Sequence, residues 1–114
     1  MKIKVLKSKI HRATVTDTSL DYEGSVSIDS KLMAQAKILP YEKVHLLDVT
    51  NGNRLQTYAI PSDKEGEVCI NGAAAHLIHK EDIIIIVSYG QIHKKEYESF
   101  KPSLVYVDET NKIK

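Results

Sequence analysis

Val44-His45-Leu46-Leu47-Asp48-Val49, then Asn51-Gly52, then Leu55-Gln56-Thr57-Tyr58-Ala59-Ile60 is the stretch on which the fold class turns. Two short apolar-rich runs flank a dipeptide whose residues accept positive φ, which a type I′ turn needs twice, so a β-hairpin is expected here. Just upstream, Pro40 ends any helical option. Before it, Asp29 or Ser30 is suited to cap a short helix running through Ala36, with Leu32, Met33 and Ala36 on the buried face. Further towards the N-terminus, Leu20–Tyr22 and Val26–Ile28 read as extended segments on either side of Gly24-Ser25. Lys2–Leu6 and Ile10–Thr16 alternate as strands. Downstream, Val68–Ile70 leads into a second Asn-Gly, Asn71-Gly72, and then into Ala73-Ala74-Ala75-His76, which reads as one helical turn. Ile83–Val87 is β-branched throughout and is expected to be buried on both faces. Leu104–Val107 is a last strand, and the lysine-containing tail after Asp108 is expected to fray. Many short strands with few helices argue for a mainly β protein, either a closed barrel or a sandwich.

Length and composition bound the function. At 114 residues the chain is expected to form one domain, residues 1–114, large enough for a core without disulfides or a structural metal. Sixteen Lys and Arg against fifteen Asp and Glu leave a formal charge of +1, which argues against a nucleic-acid partner or an anionic membrane. Cys69 is the single cysteine, so no intrachain disulfide can form. On an apolar strand without adjacent Lys or Arg, it reads as a packing residue. The opening MKIKVLKSKI alternates Lys with apolar residues, unlike a secretion signal, and no apolar run could span a bilayer. A cytoplasmic protein is expected. His76 and His79 lie three apart, but no Cys or acidic residue completes a set at a recognised ligand spacing, so no metal is expected.

The chemical information lies in four stretches: Lys9-Ile10-His11-Arg12, Tyr22-Glu23-Gly24-Ser25-Val26-Ser27-Ile28-Asp29, Asn51-Gly52-Asn53-Arg54-Leu55-Gln56-Thr57-Tyr58-Ala59-Ile60, and Asn71-Gly72-Ala73-Ala74-Ala75-His76. In this order and spacing they resemble the bacterial aspartate alpha-decarboxylases over nearly the whole chain. The resemblance implies a double-psi β barrel with short helical segments, assembled as a homotetramer with active sites at subunit interfaces. It also implies self-cleavage into residues 1–24 and 25–114, leaving a covalent pyruvoyl group derived from Ser25. That group would form a Schiff base with L-aspartate, release CO₂ and yield β-alanine for pantothenate and coenzyme A synthesis.

Roles for individual residues follow from the same resemblance. Gly24, Ser25 and Thr57 would carry self-cleavage, Thr57 by hydrogen-bonding the Gly24 carbonyl. Tyr58 would return a proton after decarboxylation. Arg54, Thr57, Lys9, His11, Tyr22, Asn71, Gly72, Ala73 and Ala74 would bind substrate. The residues themselves allow these roles without requiring them. Gly24 lacks a Cβ and can take a strained backbone geometry that an attack by Ser25 on the preceding carbonyl needs. Adjacent on a strand, Thr57 and Tyr58 point to opposite faces unless a bulge intervenes. Arg54 carries a planar guanidinium suited to a carboxylate. Lys9 and His11, two apart, share a face of an extended segment. The start of the Asn71-Gly72-Ala73-Ala74 turn would offer backbone N–H groups to an anion. Two other readings stay open: a pyruvoyl-dependent decarboxylase of another amino acid, and a non-enzymatic small β barrel serving as a binding module.

Overall fold

The computed structural model describes residues 1–114. Eight strands lie in the order β2-β6-β3-β5-β4-β7-β1-β8. They are β1 (Lys2–Thr14), β2 (Asp17–Ser19), β3 (Ser25–Asp29), β4 (Lys43–Asp48), β5 (Arg54–Ser62), β6 (Val68–Asn71), β7 (Ile83–His93) and β8 (Ser103–Tyr106). Only two residues, Val15 and Thr16, separate β1 from β2, so these form one interrupted strand. β1 pairs with β7, whereas β2 pairs with β6 at the other end of the order. Thr16 fastens the junction: its N–H donates to the Val68 carbonyl at 2.8 Å, and its Oγ1 accepts from the Val68 N–H at 3.0 Å. The sheet therefore closes on itself through the β1–β2 strand, with β8 paired to β1 alone. This is the small, mainly β, double-psi type of barrel, with parallel pairing of β3 with β5 and of β2 with β6 set among antiparallel neighbours.

One core fills it. Ile10, Ala13, Val26, Ile28, Val44, Leu46, Ala59, Val68, Ile70, Ile84, Ile86 and Val105 all point inward, following period-two alternation except where the register shift on β1 sets Ile10 and Ala13 three apart. The helix α1 (Ser30–Ala36) adds Leu32, Met33 and Ala36 to the same core. Asp29 caps it by accepting from the Lys31 N–H at 2.9 Å, and Lys37 ends it in the left-handed conformation. No helix is long and apolar enough to cross a membrane.

Several expectations need correction. The two N-terminal strands are one, β1, bent where its pairing with β7 shifts between Leu6 and Ser8 and again between Ile10 and Ala13, with Arg12 at φ 62°. Ile84, Ile86 and Val87 of the Ile83–Val87 run are buried, whereas Ile83 and Ile85 are only half-buried on the outer face. The β4–β5 hairpin has a longer loop than a two-residue type I′ turn, because Asp48 reorganises it. Its Oδ1 accepts from the Thr50 and Asn51 N–H groups, and its carbonyl accepts from Gly52 N at 2.8 Å. Only Gly52 has positive φ there. Asp48 lies beside buried Asp82. Burial pushes the Asp48 carboxyl above its ordinary value and the neighbouring Asp82 adds to this. Burial works the same way on Asp82, yet hydrogen bonds from Asp48 and the His79 backbone hold it below its ordinary value. Each carboxyl is thus a cause of the other's shift, Asp82 raising Asp48 and Asp48 lowering Asp82.

The tail after Asp108 is not frayed. Val107 bridges Ile113, and Asn111, only 2% exposed, inserts between two distant segments. Its Oδ1 accepts from Thr14 N at 2.8 Å, while Nδ2 donates to the carbonyls of Thr14 at 2.9 Å and Gly66 at 2.8 Å. Three bonds to main chain outweigh the entropy that usually loosens a terminus.

Candidate active site

Ser25 opens β3, and the peptide before it marks a sharp boundary: Gly24 is exposed, whereas Ser25 is 1% exposed. Because Val26 and Ile28 point into the core, Ser25 and Ser27 point outward. On β6 the same rule turns Val68 and Ile70 inward and Cys69 and Asn71 outward. Antiparallel pairing sets Ser25 opposite Asn71 and Ser27 opposite Cys69. Parallel pairing of Val26 with Ala59 brings Ser25 beside Tyr58, and Tyr58 in turn faces Lys43. Asn71, Ser25, Tyr58 and Lys43 thus form a row across four strands on the outer face, with neighbouring strands about 4.8 Å apart.

The polar contacts around Ser25 centre on the Asn71 side chain. Asn71 Nδ2 donates to Ser25 Oγ at 2.9 Å and to Ser27 Oγ at 2.9 Å. Ser25 Oγ donates to the Glu23 carbonyl at 3.3 Å, and the Cys69 thiol meets Asn71 Oδ1 at 3.3 Å. Burial, then Glu67 and Asp17, push the Cys69 thiol above its ordinary value, so it remains S–H near neutrality. Beyond Asn71, the chain turns at Gly72 (φ 77°) into a 3₁₀ helix, Gly72–His76. A Cβ on Gly72 would lie 2.7 Å from Gly24 Cα and 3.0 Å from the Tyr22 carbonyl oxygen. Of the two glycines at this site, the one whose place only glycine fits is therefore Gly72. Gly24 itself has open space around it and no positive φ, so the backbone strain anticipated there is absent from the uncut chain.

Thr57 and Tyr58 point to opposite faces with no bulge between them. Thr57 sits opposite core residue Val44 and between Leu55 and Ala59 on the inner face. Half-buried Tyr58 faces outward against Tyr41, with ring centroids 6.1 Å apart. Arg54 is exposed on Tyr58's face, four residues back along β5 and so roughly 13 Å away. The Tyr22 backbone packs on Gly72, while its side chain is more than half exposed. Ala73 is exposed, and half-buried Ala74 rests on the core. The Asn71 side chain makes no capping bond to the helical turn, being engaged with the two serines instead.

Lys9 and His11 are not neighbours of Ser25 within one protomer. They lie on β1, which pairs with β7 and β8 and not with β3, and on the outer face because Ile10 between them is buried. His11 opens onto a separate cavity of about 250 Å³ shared with Arg12, Tyr106 and Lys114. Burial first, then Lys9, Arg12 and Lys114, lower its pKa, and its Nδ1 is buried without a partner. Sequence reasoning missed Ser27 and the contact made by Cys69. The signal was available: with Val68 and Ile70 inward, Cys69 must share the face of Asn71.

The fold and site define a class of protein: a small closed barrel in which the buried serine of a Gly-Ser peptide is gripped by an asparagine. The aspartate decarboxylase family model matches residues 1–114. The chain is 52% identical over 113 residues to the aspartate 1-decarboxylase of Campylobacter fetus subsp. fetus, covering 99% of this chain and 98% of that one. It is 53% identical over 114 residues to the aspartate 1-decarboxylase of Acetivibrio thermocellus, covering 99% and 90%. The same enzyme of Campylobacter jejuni subsp. jejuni is 53% identical over 111 residues, covering 97% and 88%. This chain belongs to the aspartate decarboxylase family.

Proposed function

We propose that this chain is a carboxy-lyase that converts L-aspartate to β-alanine and CO₂, and that it prepares itself by breaking the Gly24–Ser25 bond. The observation that carries this reading is the grip of Asn71 Nδ2 on buried Ser25 Oγ at 2.9 Å, at a Gly-Ser step. Ser25 Oγ attacks the Gly24 carbonyl carbon, and its proton passes to the former amide nitrogen as the C–N bond breaks. An ester results. Loss of the Cα proton of residue 25 with cleavage of its Cβ–Oγ bond leaves dehydroalanine and a free Gly24 carboxylate. Water adds, ammonia departs, and a pyruvoyl group remains. Asn71 is suited to this sequence because its N–H stabilises the oxygen that leaves in the elimination.

The residues present fit that group, since bare Gly72 lets backbone approach Gly24 where any Cβ would intrude. Once formed, the group supplies an electrophilic carbonyl that captures the substrate amine and takes up the electron pair released with CO₂. The chain's own residues do the rest. Tyr58 holds a proton to deliver to the substrate carbon, and Arg54 binds a substrate carboxylate through its planar fork. Thr57, which faces the barrel interior while Ser25 faces outward, enters this reading as the group that polarises the Gly24 carbonyl only through the family resemblance. Tyr22, Asn71, Gly72, Ala73 and Ala74 shape the pocket, the alanines being small enough to admit substrate. The separation of Lys9 and His11 from Ser25 within a protomer favours a homotetramer whose sites are completed between subunits. The setting is cytoplasmic, and the product serves pantothenate synthesis.

Intact-mass spectrometry of purified protein tests the reading. Fragments 1–24 and 25–114 are expected, the larger lighter by one ammonia than the same fragment with a free serine terminus. Ser25→Ala should abolish both the cut and β-alanine release. Wild-type chain that stays whole through prolonged warming would overturn it.

A further inference from the structure

The grip on Ser25 depends on which way the Asn71 amide faces, and the two orientations are chemically different. With Nδ2 towards Ser25, the serine oxygen accepts an N–H and keeps its own proton for the Glu23 carbonyl 3.3 Å away. With the amide turned over, Oδ1 would accept the serine proton instead, and no donor would remain on the oxygen that has to attack and later leave. Ser27 cannot choose between these states, because a hydroxyl donates or accepts with equal ease. Cys69 can. A thiol donates more naturally than it accepts from an amide, and Cys69 Sγ lies 3.3 Å from Asn71 Oδ1.

We propose that Cys69 is a positioning residue for self-processing: its S–H holds Asn71 Oδ1, which keeps Nδ2 on Ser25 Oγ. This rests on the self-cleavage reading above. The register makes the arrangement specific, because Cys69 faces Ser27 and Asn71 faces Ser25 across the same β3–β6 ladder. Four side chains therefore close one hydrogen-bonded patch on the outer face. Cys69 acts in it as a neutral donor, for which burial and the acidic neighbours Glu67 and Asp17 keep it protonated. A thiolate there would repel Oδ1 and release the amide.

The test is the cleavage rate of freshly purified wild type, Cys69→Ala and Cys69→Ser, followed by intact mass, with the melting temperature of each. Removing the donor in Cys69→Ala should slow cleavage about three- to tenfold, the value of one neutral hydrogen bond. Cys69→Ser restores a donor and should recover most of the wild-type rate, whatever the two changes do to melting temperature. Cys69→Ala cleaving as fast as wild type overturns the proposal and leaves self-cleavage intact. Equal slowing in Ala and Ser variants also overturns it, since packing and not donation would then be the role. Wild type that never cleaves removes the self-cleavage reading itself, and that outcome is recognisable without the variants.

Discussion

Two asparagines are almost equally buried, Asn111 at 2% exposure and Asn71 at 3%, and each makes several hydrogen bonds, but to different kinds of partner. Asn111 bonds only main chain, joining Thr14 to Gly66 across 97 and 45 residues of sequence. Asn71 bonds only side chains, those of Ser25, Ser27 and Cys69. An amide held by backbone has its orientation set by the fold, and its loss is felt by the fold. An amide held by side chains has its orientation set by three replaceable groups. The first arrangement stabilises; the second aims a donor.

The contrast is sharpest in stability. Asn111→Ala strands buried Thr14 and Gly66 backbone groups, so a loss of about 2–4 kcal/mol is expected. Thermal unfolding should fall by roughly 10–20 °C for a domain of this size. Molecules still folded should cleave at the wild-type rate; if they do not, the two asparagines are not separable. Asn71→Ala should show the converse, with cleavage slowed roughly a hundredfold for one lost donor at a leaving oxygen. Its partners are hydroxyls and a thiol that can turn to new partners, so the melting temperature should move little. A large fall there would place Asn71 with Asn111.

The smallest effect tests whether a buried polar group can be improved where neither asparagine could. Asp48 Oδ2 is buried without a hydrogen-bond partner, beside the Asp82 carboxyl that helps to raise its pKa. A carboxyl whose pKa is raised by folding costs stability as pH climbs from its unfolded value through its folded one. Asp82, held low, contributes stability above its unfolded value and loses it as pH falls through its folded one. Asp48→Asn keeps Oδ1 for Thr50 and Asn51 and offers Asp82 a permanent donor. At pH 7 the variant should melt roughly 2–5 °C above wild type. Below Asp48's ordinary value the advantage should vanish, and pH-resolved melting curves would show whether it does.

What the sequence revealed and what it hid follow from the range of each interaction. Local grammar was legible: the Asp29 cap, the buried stripe of α1, strand alternation and the turn at Gly72 each depend on neighbours a few residues away. The Gly24-Ser25 step was legible through its motif. The Asn111 clamp was not, because nothing in a polar C-terminal stretch announces a partner at Thr14. The closed barrel was legible through the family resemblance, but the contact that fastens it, Thr16 meeting Val68, was hidden for the same reason. The hairpin loop was misjudged because Asp48 supplied acceptors that outcompeted the tight turn usually formed by Asn-Gly. Glycine's special role was assigned to Gly24, when the close approach that demands it is made by Gly72, 48 positions later in the chain.

The interrupted β1–β2 strand carries a last consequence. A cut after Gly24 would not release a loose end, because residues 2–14 and 17–19 remain laddered to β7, β8 and β6. The mature protein would be two chains sharing one barrel. The uncut precursor can close that barrel as a first-order event, with both parts tethered. After cutting, any full unfolding lets the small chain diffuse away, and recovery becomes second order and dependent on concentration. Such a protein would fold freely once, as a precursor, and thereafter persist mainly by not coming apart.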